Sequence, residues 1–369
     1  MANPREASVA VLGLGRMGAA MARVLVDEGR PVTTWTRSGR AVEGAEPRAD
    51  PAAAAAGSRN VLISLFDATA CREVLDAARS GLGHDQIVVN TSTVSPEEAA
   101  MLEDMVLPTG ATYVHAPVLG SVGAASSGSL VVLAGTNGDI DPPTDLLSSL
   151  GQVITVHGAT EAAAAKLVAN GALASALHGT WESLSAADDL KLHRSLALRV
   201  LEHTALGKVV SAKAQRLEGT AMPGADFTIA ALTKDMSLLG QASTAGERIR
   251  SAWVNQVERS AAGTEDDIAA ACRSQDDHRA VSVDADAHLT IEADISVDAA
   301  VLAPLVAYAE GHATGDPRHF LEASCRRPTW KGSETDCSPP GPLPSTARSS
   351  TELPRPTKTA GQGTSITST

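Results

Sequence analysis

The chain has 369 residues, enough for two domains, and its 43% hydrophobic and 20% charged residues are ordinary for a globular protein. Only three Phe, four Trp and two Tyr are present and the formal net charge is −13, so neither base stacking nor a phosphate backbone suits it, and nucleic acid is disfavoured as a partner. No apolar run reaches the roughly 18 residues of a membrane span and the polar N-terminus lacks the core of a secretory signal, so no membrane partner and a cytoplasmic location are expected.

The first half of the chain alternates short β-branched runs with helical patterns. The run at Val9–Leu12 predicts a strand, and Met17–Glu28 predicts the helix that follows it. Further strands are predicted at Val32–Trp35, Val61–Leu65, Ile87–Asn90 and Val131–Ala134. Strand–helix alternation indicates a parallel sheet with helices on both faces, so we predict a Rossmann-type domain over residues 7–157.

A glycine-rich turn follows the first strand directly and opens the first helix. It has the sequence Gly13, Leu14, Gly15, Arg16, Met17, Gly18. In this context Gly13 permits a tight turn, Gly15 lets a pyrophosphate approach the backbone, and Gly18 allows close helix–strand packing. The helix N-terminus offers free N–H groups to the anion. The turn therefore predicts dinucleotide binding, the alternative being a glycine turn needed only for packing.

The end of the second strand distinguishes the two nicotinamide dinucleotides. An NAD site usually places an acid there to hold the ribose hydroxyls. This chain has no acid between Thr34 and Arg40, and instead offers Arg37 and Ser38. Because a guanidinium binds a phosphate in bidentate fashion, we predict NADP(H), with Arg37 and Ser38 on the 2′-phosphate and Arg40 nearby. The alternative is that these are solvated loop charges.

The second half of the chain has a different composition. No proline interrupts Ala159–Leu192, where Ala and Leu dominate, so one long helix is predicted. Further helical patterns follow at 195–217, 227–244, 246–262 and 265–274. We therefore predict an all-helical domain at 158–275, joined to the first domain by the long helix. The four scattered cysteines form no C-x-x-C pair, so no metal site is predicted.

The last quarter of the chain, residues 276–369, fits neither domain. Residues 276–323 hold an acidic segment followed by an amphipathic helix. Within it, Ala303–Ala323 resembles the opening helix of a SnoaL-like cone domain, which makes the segment a candidate remnant of one. Residues 324–369 contain seven prolines and seventeen Ser or Thr. Such a composition cannot offset its ordering entropy, so a disordered tail is predicted; it also resembles out-of-frame translation.

Three further segments follow the glycine turn in order. The first is a turn after a strand, Asn90–Pro96, and the second is a glycine-rich loop, Ala116–Ala124. In the third, Lys166 and Asn170 are four residues apart in the long helix, so they share one face. Each has an ordinary structural explanation as well: a helix N-cap, a connection, and a solvated lysine.

In combination, over roughly residues 8–274, these motifs resemble the β-hydroxyacid dehydrogenase family, which includes 3-hydroxyisobutyrate dehydrogenase and tartronate semialdehyde reductase and is related to imine reductases. The resemblance implies that Lys166 is the catalytic acid and that Asn170 positions the substrate. It implies cofactor contacts beyond the glycine turn by Leu65, Phe66, Thr93 and Lys234. It implies substrate contacts by Ser92, Leu119, Gly120, Ser121 and Lys234.

The segment at Lys234-Asp235 resembles a family stretch whose lysine reaches the cleft between the domains. A second ammonium there is expected to attract an anionic substrate and, by like-charge repulsion, to lower the pKa of Lys166. A lysine that works as an acid–base group near neutral pH needs such lowering. Asp266 and Asp267 occupy the place of a family acid, although ordinary N-terminal helix acids explain them equally well.

The chain departs from the family's substrate loop at three positions. His115 stands where the family usually has Asp, Leu119 replaces the usual Ser, and Ser121 replaces a Gly. The loss of a hydroxyl and the gain of an apolar side chain put a simple hydroxyacid in doubt and favour a larger or less polar substrate.

These observations predict an NADP(H)-dependent oxidoreductase that transfers a hydride between the nicotinamide and a small β-hydroxyacid, semialdehyde or related carbonyl substrate. Two alternatives remain open: an imine reductase acting on a C=N bond, and a cofactor-binding protein with little catalytic activity. A homodimer is expected from the resemblance.

Overall fold

The structure is a computed structural model, and it describes residues 7–136, 141–219, 224–260 and 262–273 and the backbone of 281–283 and 289–291. The chain divides into two compact units, Met1–Ala280 and Val281–Thr369. In the second unit, Val281–Val283 pairs antiparallel with Leu289–Ile291. The predicted helix within 299–323 and the predicted disordered tail at 324–369 lie outside the described residues.

The described strands of the first unit form one sheet. In chain order they are β1 (Val9–Leu12), β2 (Val32–Trp35), β3 (Glu46–Pro47), β4 (Asn60–Ile63), β5 (Ile87–Asn90), β6 (Thr112–His115), β7 (Val118–Leu119), β8 (Leu130–Thr136) and β9 (Gly151–His157). Their order is β3-β2-β1-β4-β5-β6-β8-β7, and β9 pairs with β8. The neighbours from β3 to β6 are parallel, as are β8 and β9, while β8 runs antiparallel to β6 and β7.

Helices pack on the sheet, and they make up almost all of the described first unit from Gly158 onward. They are α1 (Arg16–Asp27), α2 (Pro51–Ala55), α3 (Ala68–Ala78), α4 (Pro96–Val106), α5 (Val122–Ser126), α6 (Thr144–Leu150), α7 (Gly158–Asp189), α8 (Arg194–Leu201), α9 (Gly207–Leu217), α10 (Ile229–Ala242) and α11 (Thr244–Arg259). This architecture confirms the predicted fold class, a Rossmann-type parallel sheet followed by a helical region that one long helix joins to it. None of the described helices combines the length and the apolarity needed to cross a membrane.

Local signals in the sequence explain where the helices begin. Asp67 caps α3, its carboxylate accepting a hydrogen bond from the Ala70 N–H at 2.8 Å. Ser95 and Glu98 form a reciprocal capping box at the start of α4, where Pro96 fits the first turn. These two caps fix where α3 and α4 begin after β4 and β5. They therefore fix the turns between strand and helix at the carboxyl edge of the sheet.

Two helical expectations need correction. The pattern at 195–217 is two helices, Arg194–Leu201 and Gly207–Leu217, and in the turn between them Gly207 lies close against the Glu202 carbonyl. The pattern at 265–274 is only a five-residue 3₁₀ helix, Ile268–Cys272. Asp267 pairs with Thr228 in an isolated antiparallel bridge and is extended, so no helix can begin before it.

The described residues of this unit form three hydrophobic cores. Alternate residues of the strands face opposite sides of the sheet, so Val9 and Val11 lie in one core while Ala10 and Leu12 lie in the other. The third core lies among the helices. Helix α7 takes part in two of them, because Ala159 and Ala163 pack in the second core and Leu167, Leu177 and Trp181 in the third. Lys166 therefore lies on the helix where sheet and helical region meet.

Candidate active site

A cleft of about 640 Å³ opens at the carboxyl edge of the parallel strands. One wall consists of the turns that follow β1, β2, β4 and β5, which all reach the same edge because the strands run in one direction. The opposite wall comes from α7, α10 and the segment before α10. The glycine turn and Lys166 line this one cleft together. A dinucleotide site and an acid–base group therefore share a single space.

The glycine turn has the geometry that a phosphate cradle needs. Gly13 has a φ of +102°, and a side chain on it would collide with the Ser64 carbonyl. A side chain on Gly18 would collide with the carbonyl of Gly13. By contrast, a Cβ on Gly15 would meet no atom within 4 Å, and no side chain caps the α1 N-terminus that Gly15 begins. The turn is tight inside and open toward the cleft, which fits the pyrophosphate of a dinucleotide.

The loop after β2 places its side chains unequally. Ser38 and Arg40 line the cleft, and Arg40 Nη1 donates to the Leu14 carbonyl at 3.2 Å. Arg37, which the sequence placed on the 2′-phosphate, is exposed and is not among the residues that line the cleft. The structure thus brings Arg40 to the glycine turn and leaves Arg37 outside.

The turn after β5 is held by side chains of its neighbours. Ser92 Oγ accepts hydrogen bonds from the Leu65 N–H at 3.0 Å and from the Cys71 thiol at 3.3 Å. Thr93 offers its carbonyl to Lys234 Nζ at 2.6 Å. Phe66, on the turn after β4, is 56% exposed, and Lys234 Nζ lies 5.5 Å from the centroid of its ring. The predicted residues of these two turns are therefore brought together around Lys234.

A continuous chain of polar contacts crosses the cleft at its other end. Lys166 Nζ donates to Asn170 Oδ1 at 3.1 Å, and Asn170 Nδ2 donates to Asp235 Oδ2 at 2.6 Å. The other oxygen of Asp235 lies 2.7 Å from Lys234 Nζ. Lys166, Asn170 and Asp235 are 8%, 4% and 3% exposed. Two opposite charges, those of Lys166 and Asp235, are thus desolvated on either side of the neutral Asn170 amide in this relay.

Burial changes the chemistry of Lys166. Desolvation lowers its pKa to about 8; the attraction of Asp235 opposes this and the repulsion of Lys234 adds to it. The ordinary value for a lysine is 10.5. An ammonium with a pKa near 8 is suited to give up and recover a proton near neutral pH.

The glycine-rich loop reaches the cleft with only some of its residues. Gly120, with a φ of +129°, lines it, as do its neighbours Val118 and Val122. Leu119 and Ser121, which the resemblance placed on the substrate, are half-buried and do not line it. Ser121 is instead the N-cap position of α5.

His115, one of the departures from the family, lies in a buried polar cluster behind the strand ends. Its Nδ1 is 3.1 Å from the Tyr113 hydroxyl, which also accepts from Asn90 Nδ2 at 3.1 Å. Complete burial lowers the pKa of His115 to about 3 and raises that of Tyr113. Both side chains are neutral at physiological pH, so His115 does not reproduce the charge of the acid it replaces.

The acids near the end of the helical region have a structural use. Asp267 Oδ2 accepts from Lys213 Nζ at 2.9 Å and from the Asp226 N–H at 2.9 Å, and Asp267 caps the following 3₁₀ helix. Asp266 accepts from the Gly263 N–H at 2.8 Å. Neither lines the cleft.

Asp235 is a residue of the site for which the sequence motifs predicted no role. Its signal lies in the helical pattern: α10 buries Ile229, Leu232, Met236 and Leu239, and an acid at position 235 falls on that buried stripe. A carboxylate on an apolar stripe needs a partner, and Asp235 has two, Asn170 and Lys234.

The chain is similar to known oxidoreductases over much of its length. Residues 8–159 match the family model of the NAD binding domain of 6-phosphogluconate dehydrogenase. The chain is 29% identical over 213 residues to 3-sulfolactaldehyde reductase of Escherichia coli, a match that covers 55% of this chain and 71% of that protein.

Two solved structures show the same fold. A 3-hydroxyisobutyrate dehydrogenase from Mycobacterium tuberculosis, determined with L-serine, has a TM-score of 0.62 and 21% identity. An imine reductase from Streptomyces aurantiacus has a TM-score of 0.50 and 22% identity. Each match covers 72% of this chain and 98% of the other.

Together the fold, the glycine turn and these relatives define a nicotinamide-dependent oxidoreductase, as the motifs predicted. The predicted resemblance to β-hydroxyacid dehydrogenases is confirmed, and an imine reductase shares the fold.

Proposed function

We propose that this chain transfers a hydride between NADP(H) and a small β-hydroxyacid, semialdehyde or related carbonyl substrate, with Lys166 as general acid in reduction and general base in oxidation. The observation that carries the proposal is the buried Lys166 ammonium in the cleft that also holds the open glycine turn. The named reductase and dehydrogenase relatives support the reaction class.

The residues along the cleft fit a bound dinucleotide. The cofactor would supply a hydride to the carbonyl carbon. In the proposal the uncapped N-terminus of α1 and the open face of Gly15 hold the pyrophosphate. Ser38 and Arg40 line the cleft from a loop that has no acid between Thr34 and Arg40, and they favour the 2′-phosphate of NADP(H).

Lys166 completes the reduction by giving a proton to the oxygen of the substrate carbonyl. The nitrogen keeps the electron pair of the broken N–H bond, and the product is an alcohol. Asn170 fixes the ammonium through its Oδ1, and Asp235 in turn fixes Asn170 through its Nδ2. A proton donor that is oriented in advance contributes typically 10²–10⁴-fold to such a reaction.

The decisive experiment compares Lys166→Ala with Lys208→Ala, in which an exposed lysine on α9 is removed. We expect kcat of Lys166→Ala to fall by about 10²–10⁴-fold, because the proton donor is lost while the glycine turn is intact. The dissociation constant of NADPH should stay near that of the unchanged chain, and Lys208→Ala should keep its turnover. Near-normal turnover by Lys166→Ala would contradict the proposal.

The two alternative functions, an imine reductase and a cofactor-binding protein with little activity, can be distinguished with a panel of aldehydes, ketones and cyclic imines. An imine reductase is favoured by the fold it shares with this chain, but that family generally lacks the lysine, so Lys166 favours a carbonyl. Reduction of cyclic imines but not of aldehydes or ketones would establish the imine alternative. NADPH binding without turnover of any member would establish a cofactor-binding protein. The homodimer and the cytoplasmic location stay predictions.

A further inference from the structure

The ammonium of Lys234 is already balanced by a neighbouring charge. Lys234 Nζ lies 2.7 Å from Asp235 Oδ1 and donates to the Thr93 carbonyl at 2.6 Å. Its side chain is 19% exposed, and the ring of Phe66 lies 5.5 Å away. A lysine has three N–H donors, and two of them are in use. A substrate carboxylate would meet a charge pair here instead of an isolated cation.

Asn170 has no amide donor aimed at a substrate acid either. Its Nδ2 donates to Asp235 Oδ2 at 2.6 Å, while its Oδ1 accepts from Lys166. The buried carboxylate of Asp235 therefore occupies, from both sides, the two groups that could otherwise hold an anion. A second carboxylate beside it would be repelled, and strongly so at low dielectric.

The remaining cations of the cleft belong to its phosphate end. Among the described residues that line the cleft, the cations besides Lys166 and Lys234 are Arg16 and Arg40. Arg16 Nη1 donates to the Ala225 carbonyl at 2.7 Å, and Arg40 Nη1 donates to the Leu14 carbonyl at 3.2 Å. Both arginines thus contact or begin the glycine turn, where the proposed function already assigns them an anion.

The rest of the lining near the relay is apolar. Val118 and Val122 come from the glycine-rich loop, and Ala230 and Ala231 lie one helical turn before Lys234 and Asp235 on α10. Phe227 joins them from the segment before that helix. Side chains of this kind gain about 25 cal/mol for each Å² of apolar surface they bury, whereas an unpaired carboxylate against them costs free energy.

We infer that the substrate of this site is an uncharged aldehyde or ketone with an apolar flank, and not one that bears a carboxylate beside the reacting carbonyl. The inference rests on the proposed function and narrows its substrate class. It accounts for the departures at Leu119 and His115, since neither supplies an anion-binding group in place of those it replaces.

The test is the steady-state oxidation of NADPH with sets of substrates that differ only in charge. Each set holds a semialdehyde acid such as 4-oxobutanoate, its primary amide and its methyl ester. The amide matters because it removes the charge with almost no change of shape or gain of apolar surface. We expect kcat/KM at pH 7 to be at least about tenfold higher for both neutral members than for the acid, which corresponds to about 1.4 kcal/mol.

A gain-of-function variant provides the matched control. Val122 lines the cleft at the start of α5 and is half-buried. Val122→Arg adds an unpaired cation there, and it should shift the ratio of acid to amide toward the acid by about tenfold. Val122→Met adds comparable length without charge and should leave that ratio unchanged.

The outcomes separate the inference from the proposed function. An unchanged chain that turns over the acid as fast as the amide, or faster, overturns the inference and leaves the reductase assignment intact. No turnover of any member, with NADPH bound, overturns the proposed function itself and the inference with it. The comparison of acid and amide in the unchanged chain decides even if Val122→Arg fails to fold.

Discussion

The two ends of the cleft, at the glycine turn and at Lys166, differ in exposure and in hydrogen bonding. At the phosphate end the groups are exposed and unoccupied by side chains: Gly15 has open space on its free face, and Ser38 and Arg40 lie at the surface. At the other end Lys166, Asn170 and Asp235 are buried and already bonded to one another.

The difference shows which end can bind and which can react. An open helix N-terminus holds an anion by backbone N–H groups, which need no proton transfer and change little with pH. A buried ammonium is unstable as a charge, so it is ready to release its proton. Cofactor binding should therefore respond to substitutions at the phosphate end of the cleft, and proton transfer to substitutions in the buried relay. Each end can serve as the reference when the other is altered.

The largest expected effect is on pH dependence. Carbonyl reduction needs protonated Lys166, whose pKa is about 8. We therefore expect kcat/KM for reduction to be level below pH 8 and to fall about tenfold for each pH unit above it, roughly a hundredfold by pH 10. Alcohol oxidation needs the neutral amine and should rise with pH to a plateau above 8. The dissociation constant of NADPH, measured over the same range, should show no such limb.

Two substitutions should move this limb in opposite directions. Lys234 lowers the pKa of Lys166 and Asp235 raises it. Lys234→Met should therefore shift the fall in kcat/KM to higher pH, and Asp235→Asn should shift it to lower pH. If both variants keep the limb where it was, some other group controls the profile.

The next effect is on stability. The pKa of Lys166 is about 8 in the folded chain, against 10.5 for an ordinary lysine. At about 1.4 kcal/mol for each pH unit, the protonated side chain therefore lowers the free energy of unfolding by roughly 3 kcal/mol. The native state binds fewer protons than the unfolded chain between those two values, so the cost is complete below pH 8 and disappears above about 10.5. Lys166→Met should therefore raise the free energy of unfolding by about 1–3 kcal/mol at pH 7, while kcat falls by about 10²–10⁴-fold as for Lys166→Ala.

Denaturant unfolding at pH 7 and at pH 10 checks this prediction. The gain should be smaller at the higher pH, because the unchanged lysine is then largely neutral in the folded chain. Lys208→Met, at an exposed position on α9, should change stability little at either pH. A Lys166→Met variant that is less stable than the parent at pH 7 would show that the bond to Asn170 outweighs the desolvation of the ammonium.

Much of the open end was predictable from the sequence because its determinants are local. The glycine turn, the strand before it and the helix after it are contiguous, and glycine spacing specifies their geometry. The caps at Asp67 and Ser95 are local in the same sense. Spacing also placed Lys166 and Asn170 on one helical face, since residues four apart share a face, while their roles were implied by the family resemblance.

The closed end depends on contacts between distant segments, and these were harder to predict. Asp235 reaches Asn170 across 65 positions of the chain, and Lys234 reaches Thr93 across 141. The same holds for the loop after β2. Its sequence contains both Arg37 and Arg40, and only the tertiary structure shows that Arg40 lines the cleft and Arg37 does not. The pattern at 265–274 favoured an α-helix, but the bridge from Thr228 to Asp267 keeps the chain extended there and only a five-residue 3₁₀ helix follows.

The smallest expected effect distinguishes those two arginines. Arg40 lines the cleft and reaches the Leu14 carbonyl, whereas Arg37 is exposed outside it. Arg40→Ala should raise the KM for NADPH about tenfold, the equivalent of about 1.4 kcal/mol, and should leave the KM for NADH nearly unchanged, because NADH lacks the 2′-phosphate. Arg37→Ala, the matched control, should change the KM for NADPH less. Since both loop positions are far from the buried relay, neither variant should move the pH limb of Lys166. A larger loss from Arg37→Ala than from Arg40→Ala would restore Arg37 as the main phosphate ligand and would mean that this loop closes differently when the cofactor is bound.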